Sequence, residues 1–171
     1  MTTVAQPVFT PELALAVRDL LLQNLRHEFE TTKKVIAAVP EDKCNYRPDP
    51  KSKSARELAW HLASAELMFL QGVANLKFVA GAPPEEPQTI AGISRWYEQQ
   101  FPAVSETIAN LRGDQLLTPV EFHGMLNLPA FQYLLLTVTH SVHHRGQLAT
   151  YLRPMGSKVP SIYGGSADTQ G

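Results

Sequence analysis

Between Pro11 and Pro40 the chain contains no glycine and no further proline. Across that span Ala14, Val17, Leu21, Leu25, Phe29, Thr32, Ile36 and Val39 recur at helical spacing. The pattern predicts one helix of roughly 40 Å. Thr10 is placed to cap it, Pro11 occupies the first helical position, Glu12 lies in the positive first turn, and Pro40 stops it. A stripe of that length has to be covered, and the remaining sequence supplies helices of matching length to do so.

Pro40 to Lys53 reads as a connector centred on Tyr46-Arg47-Pro48. Ser54-Ala55-Arg56-Glu57 fits a capping box, in which each end residue satisfies the other's backbone N–H. A second helix is expected from there to about Ala80, followed by a loop from Gly81 to Pro87. The third helix is expected from about Thr89 to Leu111, kinked or split at Pro102, with Gly113 as its C′ residue. Leu116 to Leu128 reads as irregular, with extended backbone around Val120-Glu121-Phe122. Pro129 opens the fourth helix, which runs to about Arg153 and ends at Pro154-Met155-Gly156. Four long helices without a convincing strand pattern predict an all-α four-helix bundle with long connecting loops. Residues 1–171 read as a single domain, with 1–9 and 157–171 as looser termini. A chain of this length can bury roughly 70% of its unfolded surface in one core.

Composition removes several function classes. The 15 basic and 16 acidic residues are scattered, without the basic footprint of a nucleic-acid-binding protein. Phe122 to His144 carries no Asp, Glu, Lys or Arg, yet Asn127, Pro129, Gln132, Thr137, Thr139 and His140 interrupt it. A buried helix therefore fits better than a membrane span. No charged stretch followed by an apolar run opens the sequence, so no signal peptide is expected. The lone Cys44 cannot form an internal disulfide, which points to a cytoplasmic protein and an inert, partly buried thiol.

Chemistry concentrates in the fourth helix. Three of the six histidines, His140, His143 and His144, fall within five residues. His140 and His144 share one face, with Cβ atoms roughly 5–6 Å apart, the span over which two imidazoles close on one metal ion. His143 points about 100° away from His144 and is assigned to the surroundings. Two ligands do not make a stable site, and His61 in the second helix is the natural third, on a face with Leu58, Ser64, Ala65 and Met68. Three nitrogens from two helices leave positions open for water or substrate, the pattern of a catalytic site. Without metal, the same residues would instead hydrogen-bond in the core and line a polar pocket. Glu57 and Gln147 are candidates for orienting the ligand rings. His27 and His123 are expected in solvent, with His123 able to reach the site mouth. The nitrogen-rich set suits Zn, Ni, Fe or Co over Mg or Ca without choosing among them; the cofactor expected is Zn or Ni, with Fe, Co or Mn as alternatives.

The helix that bears them is apolar on two sides. Phe131, Leu135, Val138, Val142 and Ala149 lie on one face. Tyr133, Leu136, Thr137, His140, His144, Gln147 and Tyr151 lie opposite. Only one face can point into a bundle core, so the other is expected to meet a second copy of the chain in a homodimer.

Glu57-Leu58-Ala59-Trp60-His61-Leu62, His140-x-x-His143-His144-Arg145-Gly146-Gln147-Leu148 and Tyr151-Leu152-Arg153-Pro154-Met155-Gly156 together resemble the DinB-like (DinB/YfiT) superfamily. The connector Pro40 to Pro48 fits as well. The resemblance implies a four-helix bundle, often dimeric, holding a divalent metal on three histidines, which map onto His61, His140 and His144. Some relatives are thiol transferases that use a low-molecular-weight thiol, which makes such a cofactor an expectation here. The expected activity is a metal-dependent one in which a thiol or water attacks a small electrophilic substrate. Arg145 or Arg47 is placed to hold an anionic cofactor group. The alternatives are a metal-dependent hydrolase and a non-catalytic metal-binding stress-response protein.

Overall fold

A computed structural model describes residues 8–79, 81 and 84–169. Its long helices are α1 (Pro11–Ala37), α2 (Ala55–Ala74), α3 (Ile90–Ala109) and α5 (Gln132–Leu152), with a single turn of 3₁₀ helix at Glu41–Lys43 and a short α4 (Gly113–Leu116). α1 packs on α3 and α5, and α2 packs on the same two, so each long helix touches two others around one core. Phe131, at the start of α5, clusters with Ala14 near the start of α1, while Arg145 further along reaches Glu28 and Thr32. These two helices therefore run parallel.

The expected start signals act as predicted. Thr10 Oγ1 accepts the Leu13 N–H, 3.2 Å away. At α2, Glu57 N donates to Ser54 Oγ at 3.2 Å and Ser54 N donates to a Glu57 carboxylate oxygen at 2.8 Å, closing the capping box. Four boundaries differ. α2 ends at Ala74, because Leu76 takes a left-handed φ of 52° that no helix can continue; Ala80 lies outside the described residues. Pro102 lies inside one continuous α3 and does not split it. α3 ends at Ala109 with Asn110 as its C-cap, and Gly113 instead begins α4, where a Cβ would sit 2.4 Å from the Pro11 carbonyl oxygen. Only glycine lets α4 approach the start of α1 so closely.

The fourth correction concerns the stretch read as irregular. β1 (Pro119–Phe122) and β2 (Leu126–Pro129) pair antiparallel, Phe122 opposite Leu126 and Pro119 opposite Pro129. His123 and Gly124 turn the hairpin with φ of 49° and 71°, the double left-handed geometry whose twist matches paired strands. Pro129 thus closes a strand, and α5 begins at Gln132. The Tyr133 hydroxyl donates to the Val120 carbonyl at 2.7 Å and fixes the hairpin to α5.

The inward side of α5 takes in the second of the two faces drawn from the sequence, whose Tyr133, Thr137 and Tyr151 are buried and whose Leu136, His140, His144 and Gln147 are half-buried. Leu134, Thr137, Ser141, Arg145, Leu148 and Leu152 are the buried line. Phe131 and Ala149 are buried too, whereas Leu135 is 56% exposed. The tail is also tied down as far as Thr169. Ser157 Oγ donates to the Ala38 carbonyl at 2.6 Å, Asp168 pairs with Arg153 at 3.0 Å, and the Tyr163 hydroxyl donates to Glu28 at 2.9 Å. No helix among the described residues is long and apolar enough to cross a membrane.

Candidate metal centre

α2 and α5 pack side by side and bring His61 against His140 and His144. Ring centroids lie 5.2 Å apart for His61–His140, 4.5 Å for His61–His144 and 4.4 Å for His140–His144. One ligand-capable nitrogen from each ring falls within 4.8 Å of the others, so the cluster could hold a metal ion. All three side chains are half-buried. The Phe69 ring packs edge-on to His140 at 5.6 Å and backs the cluster with apolar surface.

Burial governs the electrostatics. It is the largest cause holding His140 down at about 4, reinforced by the neighbouring rings of His144, His61 and His143. Burial likewise lowers His61 and His144 below the usual histidine range, and Lys53 adds positive charge against both. The rings are therefore neutral at neutral pH, the state in which imidazole binds metal.

Hydrogen bonding sets their orientation. His144 Nδ1 lies 3.1 Å from Gln147 Oε1. With that oxygen as acceptor, Nδ1 carries the proton and Nε2 turns its lone pair toward the cluster. His61 Nε2 and His144 Nε2 are 3.2 Å apart. His140 Nδ1 is buried with no hydrogen-bond partner among the described residues, an arrangement that costs free energy unless something else meets the nitrogen.

The remaining candidates separate cleanly. Gln147 touches His144 as expected, whereas Glu57 does not orient His61: its carboxylate is taken by Ser54 N and by Arg47 at 2.8 Å. His143 and His27 are exposed. His123 is exposed too but shares a cavity lining with His61, at the mouth of the site. Cys44 is buried. Arg145 cannot hold an external anion, because it is 1% exposed and spends its donors inside the fold. It pairs with Glu28 and donates to Thr32 Oγ1 at 3.3 Å and to the Tyr163 hydroxyl.

Sequence reasoning missed a second buried polar group beside this one. Glu66 is fully buried and accepts hydrogen bonds from the Tyr97 and Ser141 hydroxyls. Burial pushes its carboxyl up to about 7, against the opposing pull of those two hydrogen bonds and of the Arg145 charge. A carboxylate at an inward position of α2 is the one signal that could have been read, since such residues are almost never fully buried unless paired.

Residues 10–170 match the family model of the DinB family. The chain belongs to the DinB family. The uncharacterized protein YrdA of Bacillus subtilis (strain 168) is 25% identical over 150 residues, covering 85% of this chain and 87% of that protein. YjoA of the same organism, also uncharacterized, is 26% identical over 138 residues, 77% of this chain and 86% of its own. A DinB-like protein from Bacillus cereus ATCC 10987 superposes with a TM-score of 0.71 at 26% identity, covering 84% of this chain and 95% of that one. The YjoA structure superposes at 0.68 with 18% identity over 86% of this chain and 99% of its own, a likeness of fold. DinB membership agrees with the resemblance carried by the His61 and His140–Gly156 segments. The reaction has to come from the chemistry of the site.

Proposed function

We propose that this DinB-family chain is a divalent-metal-dependent enzyme in which His61, His140 and His144 hold the ion. A thiol or water attacks a small electrophilic substrate there, in the manner of a thiol S-transferase. The scaffold is read as a four-helix bundle formed by α1, α2, α3 and α5, working as a homodimer. The observation that carries the reading is the convergence of three imidazoles, ligand atoms within 4.8 Å, one of which, His61, also lines two open cavities.

The residues fit a metal. Two nitrogens bound to one tetrahedral zinc at ~2.0–2.1 Å lie roughly 3.3 Å apart, close to the 3.2 Å between His61 Nε2 and His144 Nε2. The unpartnered His140 Nδ1 and the all-nitrogen donor set point the same way, toward a transition metal such as Zn, Ni, Fe or Co. A bound divalent ion supplies Lewis acidity, which draws the pKa of a thiol or water toward neutrality. The protein's own part is to orient and to exclude water. Gln147 fixes the His144 ring, Phe69 backs His140, and Lys53 brings positive charge to the anionic form of a nucleophile.

The test is elemental analysis of untagged protein, followed by consumption of an electrophile panel with and without added low-molecular-weight thiols. Stoichiometric metal and thiol-dependent turnover are expected. Metal-loaded protein that turns over neither thiol acceptors nor esters would overturn the enzymatic reading in favour of a metal-binding protein.

A further inference from the structure

Two cavities border the histidine cluster at His61, and they differ in chemistry. The first, about 550 Å³, is lined by Arg47, Lys51, Lys53 and Glu57 together with Trp60 and His61. The second, about 660 Å³, is lined mainly by Met68, Phe78, Val79 and Trp96, with one cation, Lys77, and again by His61. Ser64 also borders both. Each has the size of a small-molecule site, roughly 300–1,000 Å³.

The first cavity is prepared for an anion. Its two carboxylates are each engaged by an arginine, Glu57 by Arg47 at 2.8 Å and Glu86 by Arg56 at 3.5 Å. Lys51 and Lys53 have no carboxylate partner among the described residues. The second cavity is prepared for apolar surface. Phe78 folds back over Gly72, where a Cβ would lie 2.2 Å from its ring, and stacks edge-on against Phe122 at 4.7 Å. The boundary between the two is aromatic: Trp60 from the first meets Trp96 from the second edge-to-face, centroids 4.7 Å apart.

We propose that the site takes a small amphipathic anion, its acidic group beside Lys51 and Lys53, its apolar body against Phe78 and Trp96, and its reactive atom at His61 where the two cavities meet. This rests on the metal-dependent reading above and adds the substrate class to it. A purely apolar substrate would leave the lysine side unused. A small inorganic anion would leave the Phe78–Trp96 side wet. Only a molecule with both ends satisfies both walls.

The chain's 2 tryptophans both lie at this boundary, so intrinsic fluorescence of the purified protein reads occupancy directly. The probes are octanesulfonate, octanol and methanesulfonate, sulfonates being poor metal ligands. Octanesulfonate should bind saturably, about tenfold tighter than octanol through the two lysines and about tenfold or more tighter than methanesulfonate through its chain. The Lys51→Gln/Lys53→Gln variant should bring octanesulfonate to the affinity of octanol and leave octanol unchanged. Equal binding of octanesulfonate and octanol, or a preference that survives the double substitution, overturns the inference. Elemental analysis of the same preparation separates the two readings. A sulfonate preference without bound metal sinks only the metal reading, and bound metal without a preference sinks only this one.

Discussion

His144 and Gln147 show how much one residue's surroundings decide. His140, His143 and His144 are chemically identical, yet only His140 and His144 turn toward His61, while Gln147 fixes the His144 ring. Substituting His61, His140 or His144 by Ala should each abolish stoichiometric metal, whereas His143→Ala should keep it. Gln147→Leu should retain the site but weaken it by roughly 10–100-fold, the usual effect of losing a ligand's hydrogen-bond partner. Competition with a chromogenic chelator measures all five, and metal loss from His143→Ala would show the wrong face had been chosen. The triad was legible because helical spacing alone puts His140 over His144. Arg145 and Glu66 were not, because what buries them, Glu28 and Thr32 in one case and Tyr97 and Ser141 in the other, is brought to them by tertiary packing. Glu66 carries its own prediction. Its carboxyl is raised from 4.5 to about 7, so the native state holds a proton that the unfolded chain releases between those values. Stability from this group is full below pH 4.5 and is lost as pH rises through 7. Relative to Glu66→Gln, the wild type should lose about 1–3 kcal/mol between pH 5 and pH 8. Urea unfolding at both pH values checks this, and the comparison cancels the opposite trend of the depressed histidines; a difference that stays flat rules out proton uptake by Glu66.

At the level of elements, the starts of α1, α2 and α3 and the ends of α1 and α5 could be read, whereas the end of α2 and the start of α5 could not. Thr10 and the Ser54–Glu57 box act through neighbours three residues away, within reach of a sequence pattern. The end of α2 comes at the left-handed Leu76, beyond which Phe78 folds back over Gly72, and the role of Gly113 depends on the backbone of Pro11, both matters of close approach. The extended backbone at Val120–Phe122 was legible, but its pairing with Leu126–Pro129 in a hairpin escaped for a related reason. Its strands are four residues each, Pro begins one and ends the other, and a histidine occupies a left-handed turn position. The α2 end yields a test. Gly72→Ala should displace Phe78 from its packing on Phe69, Phe122 and Tyr133. The expected cost is about 1–3 kcal/mol, or a Tm lower by roughly 2–10 °C. Because Phe78 lines the apolar cavity beside His61, the same change should alter octanol binding while leaving metal content intact. Unchanged Tm and unchanged octanol binding would mean that Phe78 relocates without consequence and does not shape the site.

For the whole molecule, the question is what covers the outside of α1 and α5. The sequence placed a second apolar face on the histidine helix, and the structure shifts that face rather than removing it. Phe131 and Ala149 are buried within the chain, but Leu135 is 56% exposed and Val138 and Val142 are half-buried one and two turns on. Because α1 runs parallel to α5, Leu13 at 44% and Leu20 at 67% exposure form a second apolar line beside them, with Val17 half-buried between. We propose that these two neighbouring stripes meet their counterparts in a second copy, as in a two-fold dimer, since apolar side chains left together on a surface favour such an interface. Light scattering at micromolar concentration should therefore give a mass near twice 18.9 kDa. The Leu20→Glu/Leu135→Glu variant, which places like charges on both stripes, should run as a monomer with an unchanged far-ultraviolet spectrum. His140 and His144 lie about 140–180° around α5 from Leu135 and Val142, so this monomer should still bind metal. A wild type that is monomeric at these concentrations would remove the dimer, and a monomeric variant that loses metal would place the two-fold contact at the site itself.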